Sequence, residues 1–319
     1  MKKILVLFFA LFLSQISQAA SFDCAKAASK SEKQICADAQ LSQLDEDLAA
    51  AYDQAKQKLS ADAQKLFISG QRSWLKFHSS YCFFDQAAKA ADKTSSIRCQ
   101  TEEYKARIAA IEQTGAVVLG MTIFPYFQGA FNANPKSEWR NISFDRREVF
   151  LFDGRSELAN ALNAIIKPLS KVEAGDTGST SESSVWLRQL SPDLVIIEER
   201  FNMSGGAYPV SGTNFQYFSK DLKRPLKIGD VFNSPQWKIL AQKKAQQQLK
   251  KKGVEGFDIF EIAAEQKDLF GYAISEQGFV IEDLLPHVAR ALDGADMQWK
   301  DFSKFLTPLG QQLSRVKTQ

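Results

Sequence analysis

Four cysteines carry the clearest chemistry in this chain of 319 residues: Cys24, Cys36, Cys82 and Cys99. None occurs after residue 99. Paired, they close two disulfides; unpaired, they are buried thiols. Four cysteines allow three connectivities, and the sequence leaves all three open. Histidine chemistry has little to work with, because His78 and His287 are the only two. That shortage rules out a multi-histidine metal site and leaves a histidine-based triad without support. No serine or cysteine sits in a nucleophile motif, and no acid/base pair stands out. We therefore expect no enzyme activity, no cofactor and no metal.

A second stretch, Met203-Ser204-Gly205-Gly206-Ala207-Tyr208-Pro209, is built for contact rather than catalysis. Two glycines permit positive φ and a close backbone approach. Tyr208 is a rigid amphipathic side chain of the kind favoured at binding hot spots. Ser204, Gly205, Gly206 and Tyr208 are the candidate partner-binding residues. The plain alternative is a strand-to-strand turn whose glycines serve geometry alone. His287, after Pro286, reads as a packing or capping residue, and His78 as a surface or boundary residue. Asp45-Glu46-Asp47 reads as a solvated helix face.

Three helical stripes position the cysteines. Leu41, Leu44, Leu48, Tyr52, Ala55 and Leu59 recur at steps of three and four, which puts them on one face of a helix. Ser31-Glu32-Lys33-Gln34 has capping-box form just before it. Leu66, Gly70, Trp74, Phe77 and Tyr81 make a second stripe, and Ile97, Thr101, Tyr104, Ile108 and Ile111 a third. Ser60-Ala61-Asp62 is a short turn, so the first two helices are expected to be antiparallel. Cys36, Cys82 and Cys99 then fall at one end of the bundle, within reach of Cys24. Two disulfides there would staple it, each adding about 2–4 kcal/mol by restricting the unfolded chain.

These residues carry a resemblance. Phe22-Asp23-Cys24, Glu32-Lys33-Gln34-Ile35-Cys36 and Leu44-Asp45-Glu46-Asp47-Leu48 form its first half. Gln71-Arg72-Ser73-Trp74-Leu75, Cys82, Cys99, Tyr104 and Arg107-Ile108 complete it. The segment resembles the LprI-type lysozyme-inhibitor domain, a small, helical, cysteine-paired module of bacterial envelope proteins. Many members carry arginine a few residues after the tryptophan, where this chain has Phe77-His78. The resemblance implies a lysozyme-type muramidase as partner.

Residues 1–20 read as a secretory signal peptide, with Lys2 and Lys3 before an apolar run from Ile4 to Leu13 and small residues at Ser17-Gln18-Ala19-Ala20. No lipobox precedes Cys24. The expectation is a bacterial protein that is periplasmic or secreted, with no transmembrane anchor in its mature form. Such a compartment favours disulfides. Without Lys2 and Lys3 the 40 basic residues fall to 38 against 37 acidic ones. A balance of +1 gives no field to attract nucleic acid or anionic lipid.

The remainder, residues 115–319, reads as an α+β domain with a largely antiparallel sheet, following the helical domain of residues 21–114. Strands are expected over Val117–Phe131, Asn141–Phe152, Ser184–Leu190, Leu194–Asn202, Thr213–Ser219, Phe270–Ile274 and Gly278–Glu282. Helices are expected around Leu158–Leu169, Gln236–Lys252 and Trp299–Leu306. Gly205-Gly206-Ala207-Tyr208-Pro209, Asp221-Leu222-Lys223-Arg224-Pro225-Leu226, Gly229-Asp230-Val231-Phe232 and Phe270-Gly271-Tyr272-Ala273-Ile274 carry a second, weaker resemblance. It is to the C-terminal domain of the lysozyme-sensing anti-sigma factor RsiV, over about residues 116–310. That family often has histidine where this chain has Tyr208. The spacing of Ser204, Gly205 and Tyr208 also resembles a loop that other periplasmic lysozyme inhibitors push into the enzyme's cleft. Together the resemblances imply a lysozyme-binding inhibitor acting by steric occlusion. The competing reading is a non-inhibitory envelope module that binds peptidoglycan or another envelope protein.

Overall fold

Ser29, not Ser31, starts the helical region. Its hydroxyl accepts the Glu32 N–H at 3.1 Å, and the Glu32 carboxylate accepts the Ser29 N–H at 2.8 Å. That reciprocal capping box opens helix α1, Lys30–Ala37. The backbone N–H groups of Ser29 and Ala28 both donate to the Glu32 carboxylate and hold it below its usual range. Asp38, with extended backbone, ends α1 and caps the next helix by accepting from the N–H groups of Gln40 and Leu41. The expected first helix is therefore two, α1 and α2 (Ala39–Gln57). Helices α3 (Ala61–Tyr81) and α4 (Lys93–Glu112) follow.

These features come from a computed structural model, which describes residues 20–83, 93–133, 142–172, 178–205, 209–254, 272–275, 277–281 and 294–315. The chain forms two compact units that do not follow chain order. The first comprises residues 1–54 and 78–109; the second comprises 55–77 and 110–319.

The second unit is built on a seven-stranded sheet whose spatial order equals its chain order. The strands are β1 (Val117–Val118), β2 (Met121–Ala133), β3 (Ile142–Phe152), β4 (Thr180–Ser191), β5 (Leu194–Ser204), β6 (Val210–Ser219) and β7 (Arg224–Pro225). Every neighbouring pair is antiparallel except β3 and β4, which are parallel. A parallel pair needs a crossover, and helix α5 (Glu157–Leu169) supplies it. Its buried Ala159, Leu162 and Ile166 form one stripe.

Residues 61–77 of α3 pack in this unit. The Phe77 ring meets Phe127, Phe131 and Phe144 at 5.7, 6.5 and 6.0 Å. Gly129 permits that approach, because a Cβ there would lie 2.7 Å from the Phe77 ring. Its N–H, on the side of β2 away from β3, is donated to Ser73 Oγ at 3.1 Å. The helix thus satisfies a strand edge that would otherwise stay open.

A three-stranded antiparallel sheet, β10-β9-β8 in order, lies in the same unit. Its strands are β8 (Ala273–Ile274), β9 (Gly278–Ile281) and β10 (Ala295–Gln298). Together with helices α6 (Ile228–Val231) and α7 (Gln236–Lys251) it encloses an aromatic core. Phe232 stacks on Trp237 at 4.3 Å, and Phe279 packs on Trp299 and Phe302. Tyr217 of β6 ties the two sheets together: its hydroxyl donates to Tyr272 O and accepts from Ile274 N–H, at 2.6 and 2.8 Å. The chain is thus an α+β protein, with a disulfide-bearing helical region followed by a mixed domain of largely antiparallel sheet.

Candidate functional site

In the first unit the cysteines pair locally. Cys24 bonds Cys36, and Cys82 bonds Cys99, with no free cysteine in the chain. The first bridge ties the leading segment to the end of α1. The second ties the end of α3 to the first part of α4. Of the three open connectivities this is the one that joins sequence neighbours.

Polar groups make up much of the core between these bridges. Its buried apolar side chains, among the described residues, are Ala20, Ile35, Leu41, Leu48, Cys82 and Tyr104. Its buried polar ones are Ser31, Ser42, Asp45, His78, Ser96, Gln100 and Arg107. Burial of such groups is tolerated when they are hydrogen-bonded. Ser31 Oγ donates to Gln100 Oε1 at 2.8 Å, and Gln100 Nε2 donates to Gln34 Oε1 at 2.8 Å. Gln34 Nε2 donates to Ser96 Oγ at 2.9 Å. This chain of bonds joins α1 to α4. Ser42 Oγ closes the α1–α2 corner by donating to Ile35 O at 2.9 Å.

Asp45 and His78 overturn their sequence readings. Only Asp47 of the acidic trio is fully exposed; Asp45 is buried at 8% exposure. It accepts the Tyr104 hydroxyl at 2.8 Å, and the N–H and hydroxyl of Ser21 at 2.8 and 2.6 Å. Burial, the nearby Asp45 charge and this hydrogen bond together raise the Tyr104 phenol far above its usual range. His78, read as a boundary residue, is 2% exposed and meets the Tyr104 ring edge-on at 5.2 Å.

Burial lowers the His78 imidazole from 6.5 to about 4. The folded state then binds fewer protons than the unfolded state in mild acid. Stability from this group is present above pH 6.5 and is lost as pH falls towards 4. Between pH 7.5 and 5.5 the loss is about 1 kcal/mol. Urea titrations across that range are expected to show it, and His78→Gln is expected to remove most of the slope. An unchanged slope in the variant would place the titration elsewhere.

Ser204 and Gly205, the described part of the glycine segment, lie in the second unit. Strands β5 and β6 pair up to Met203 and Val210, so residues 204–209 connect the tips of two antiparallel strands. Ser204 pairs with Thr180 of β4. Gly205 has φ +135°, and a Cβ there would lie 2.7 Å from Ser179 Cα. Only glycine fits, for a conformational and a steric reason at once. Gly206 and Tyr208 lie outside the described residues, as does His287. Among the described residues no group of three or more His, Cys, Asp or Glu could hold a metal ion. No helix among them is long and apolar enough to cross a membrane.

Residues 24–111 match the family model described as "Lysozyme inhibitor LprI". This segment is an LprI-type domain. Its limits enclose both disulfides, the Gln34–Ser96–Gln100 chain and the Asp45–Tyr104–His78 cluster. They also take in residues 55–77, which belong to the second compact unit. No curated protein matches the chain. Solved structures similar to it include two DUF3298-family proteins. One is a DUF3298-family protein from Bacteroides fragilis, 13% identical, with a TM-score of 0.47, covering 63% of this chain and 98% of that one. The other is a DUF3298-family protein from Pseudomonas aeruginosa, 12% identical, with a TM-score of 0.42, covering 63% of this chain and all of that one.

Proposed function

We propose that this protein is an exported inhibitor that binds lysozyme-type muramidases and does no catalysis of its own. The observation that carries the reading is the LprI-type domain at residues 24–111, with its two disulfides in place. Disulfides of this kind persist in oxidising compartments, which agrees with export through the leader at residues 1–20. The proposal divides the chain by function near Thr114–Gly115, after the LprI-type segment, whereas the compact units divide otherwise, with residues 55–77 grouped with 110–319. The proposal extends the lysozyme reading to the α+β domain through its sequence resemblance to the RsiV C-terminal domain. Its mechanism is occlusion: the segment bearing Ser204, Gly205, Gly206 and Tyr208 enters the sugar-binding cleft of the muramidase. The near-neutral charge balance gives little long-range steering towards a basic enzyme, so contact chemistry must supply the affinity.

One experiment separates this from its rival. The oxidised protein is expected to slow a lysozyme acting on a soluble oligosaccharide, in proportion to the complex formed, and to leave purified sacculi in suspension unbound. Co-sedimentation with sacculi at undiminished lysozyme activity would replace the proposal with a peptidoglycan-binding module.

A further inference from the structure

Asp45 is a buried carboxylate held by three donors, none of them charged among the described residues. Tyr104 serves Oδ1, while Ser21 gives both its backbone N–H and its hydroxyl to Oδ2. Taking a carboxylate out of water with only neutral donors around it is costly. The Ser21 nitrogen already sits 2.8 Å from the carboxylate. In the sequence reading, Ser21 is also the first residue after the export leader.

Hydrolysis of the Ala20–Ser21 bond changes the chemistry of that contact without moving it. Water gives its hydroxyl to the Ala20 carbonyl and a proton to the Ser21 nitrogen, which takes up a further proton at neutral pH. An amide donor becomes an α-ammonium with three donors and a positive charge. We propose that removal of the leader completes this site: the new α-ammonium of Ser21 forms an ion pair with Asp45, and the mature chain is held more firmly than the precursor. The leading segment is then fastened at two points, by this pair and by the Cys24–Cys36 bridge. The side chains around the pair come from three helices, Asp45 on α2, His78 on α3 and Tyr104 on α4. The inference rests on the export reading and is independent of the muramidase reading.

The test compares the full mature chain beginning at Ser21 with one beginning at Ala20, each with Asp45 and with Asp45→Asn. With Asp45, the chain beginning at Ser21 is expected to melt several degrees higher. With Asp45→Asn the difference is expected to vanish. Equal melting of the two wild-type chains overturns the proposal. A measurement on the unsubstituted protein guards against misfolding of the variant. At pH 7 the Ser21 amine is expected to be acylated about tenfold more slowly in the native than in the denatured chain, because pairing raises its affinity for the proton. Equal rates overturn the pairing. Intact mass of the exported protein tests the processing step separately, and a first residue other than Ser21 overturns that step.

Discussion

Replacing Cys82 and Cys99 together with alanine is expected to destabilise the helical unit by about 3 kcal/mol, and replacing all four cysteines by about 6 kcal/mol. The bridges span 17 and 12 residues of chain, and each closes a loop that costs the unfolded state about 3 kcal/mol of entropy. Small domains have little apolar surface to offset such a loss. Here the described core adds Asp45, His78, Gln100 and Arg107 to only a handful of apolar side chains. The whole stability of a domain is about 5–15 kcal/mol, so loss of both bridges approaches it. Circular dichroism melts of the oxidised, the double and the quadruple variants measure the series. A quadruple variant that melts with the oxidised protein would show that the polar core holds itself.

Tyr208→Ala is expected to weaken inhibition about thirtyfold, the effect of about 2 kcal/mol lost at an interface hot spot. The motive is its position in the sequence, three residues after Gly205, a glycine that no other residue can replace. A tyrosine that serves packing behaves differently, since its loss leaves a cavity and lowers the melting temperature. Inhibition and melting are therefore measured on one sample. Weaker inhibition at an unchanged melting temperature supports occlusion by the loop. A lower melting temperature at unchanged inhibition assigns Tyr208 to the fold and moves the binding surface to another part of the protein.

The sequence by itself determined the elements that depend on local periodicity and turn chemistry. The apolar stripes of α2 and α3 lie where the three- and four-residue spacing put them, with Leu41, Leu48, Trp74 and Phe77 buried. The β4–β5 hairpin turns at Ser191-Pro192-Asp193, between paired strands on either side. The cysteines were legible as a framework, and so was the LprI-type segment, because both are patterns along the chain. What the tertiary structure decided are the choices that distant residues make together. Helix α4 buries Ser96, Gln100 and Arg107 alongside Tyr104. An apolar-spacing argument favours Ile97 and Thr101 instead, because it assigns polar residues to solvent. Asp45 and His78 are inside because Tyr104, fifty-nine residues from Asp45, gives one a donor and the other a ring to pack on. The parallel β3–β4 pair depends on α5 folding back over the sheet, which no local signal encodes. Disulfide partners, too, are selected by which sulfurs the folded helices bring within bonding distance. Periodicity reports where a side chain faces on its own element; only packing reports what it faces.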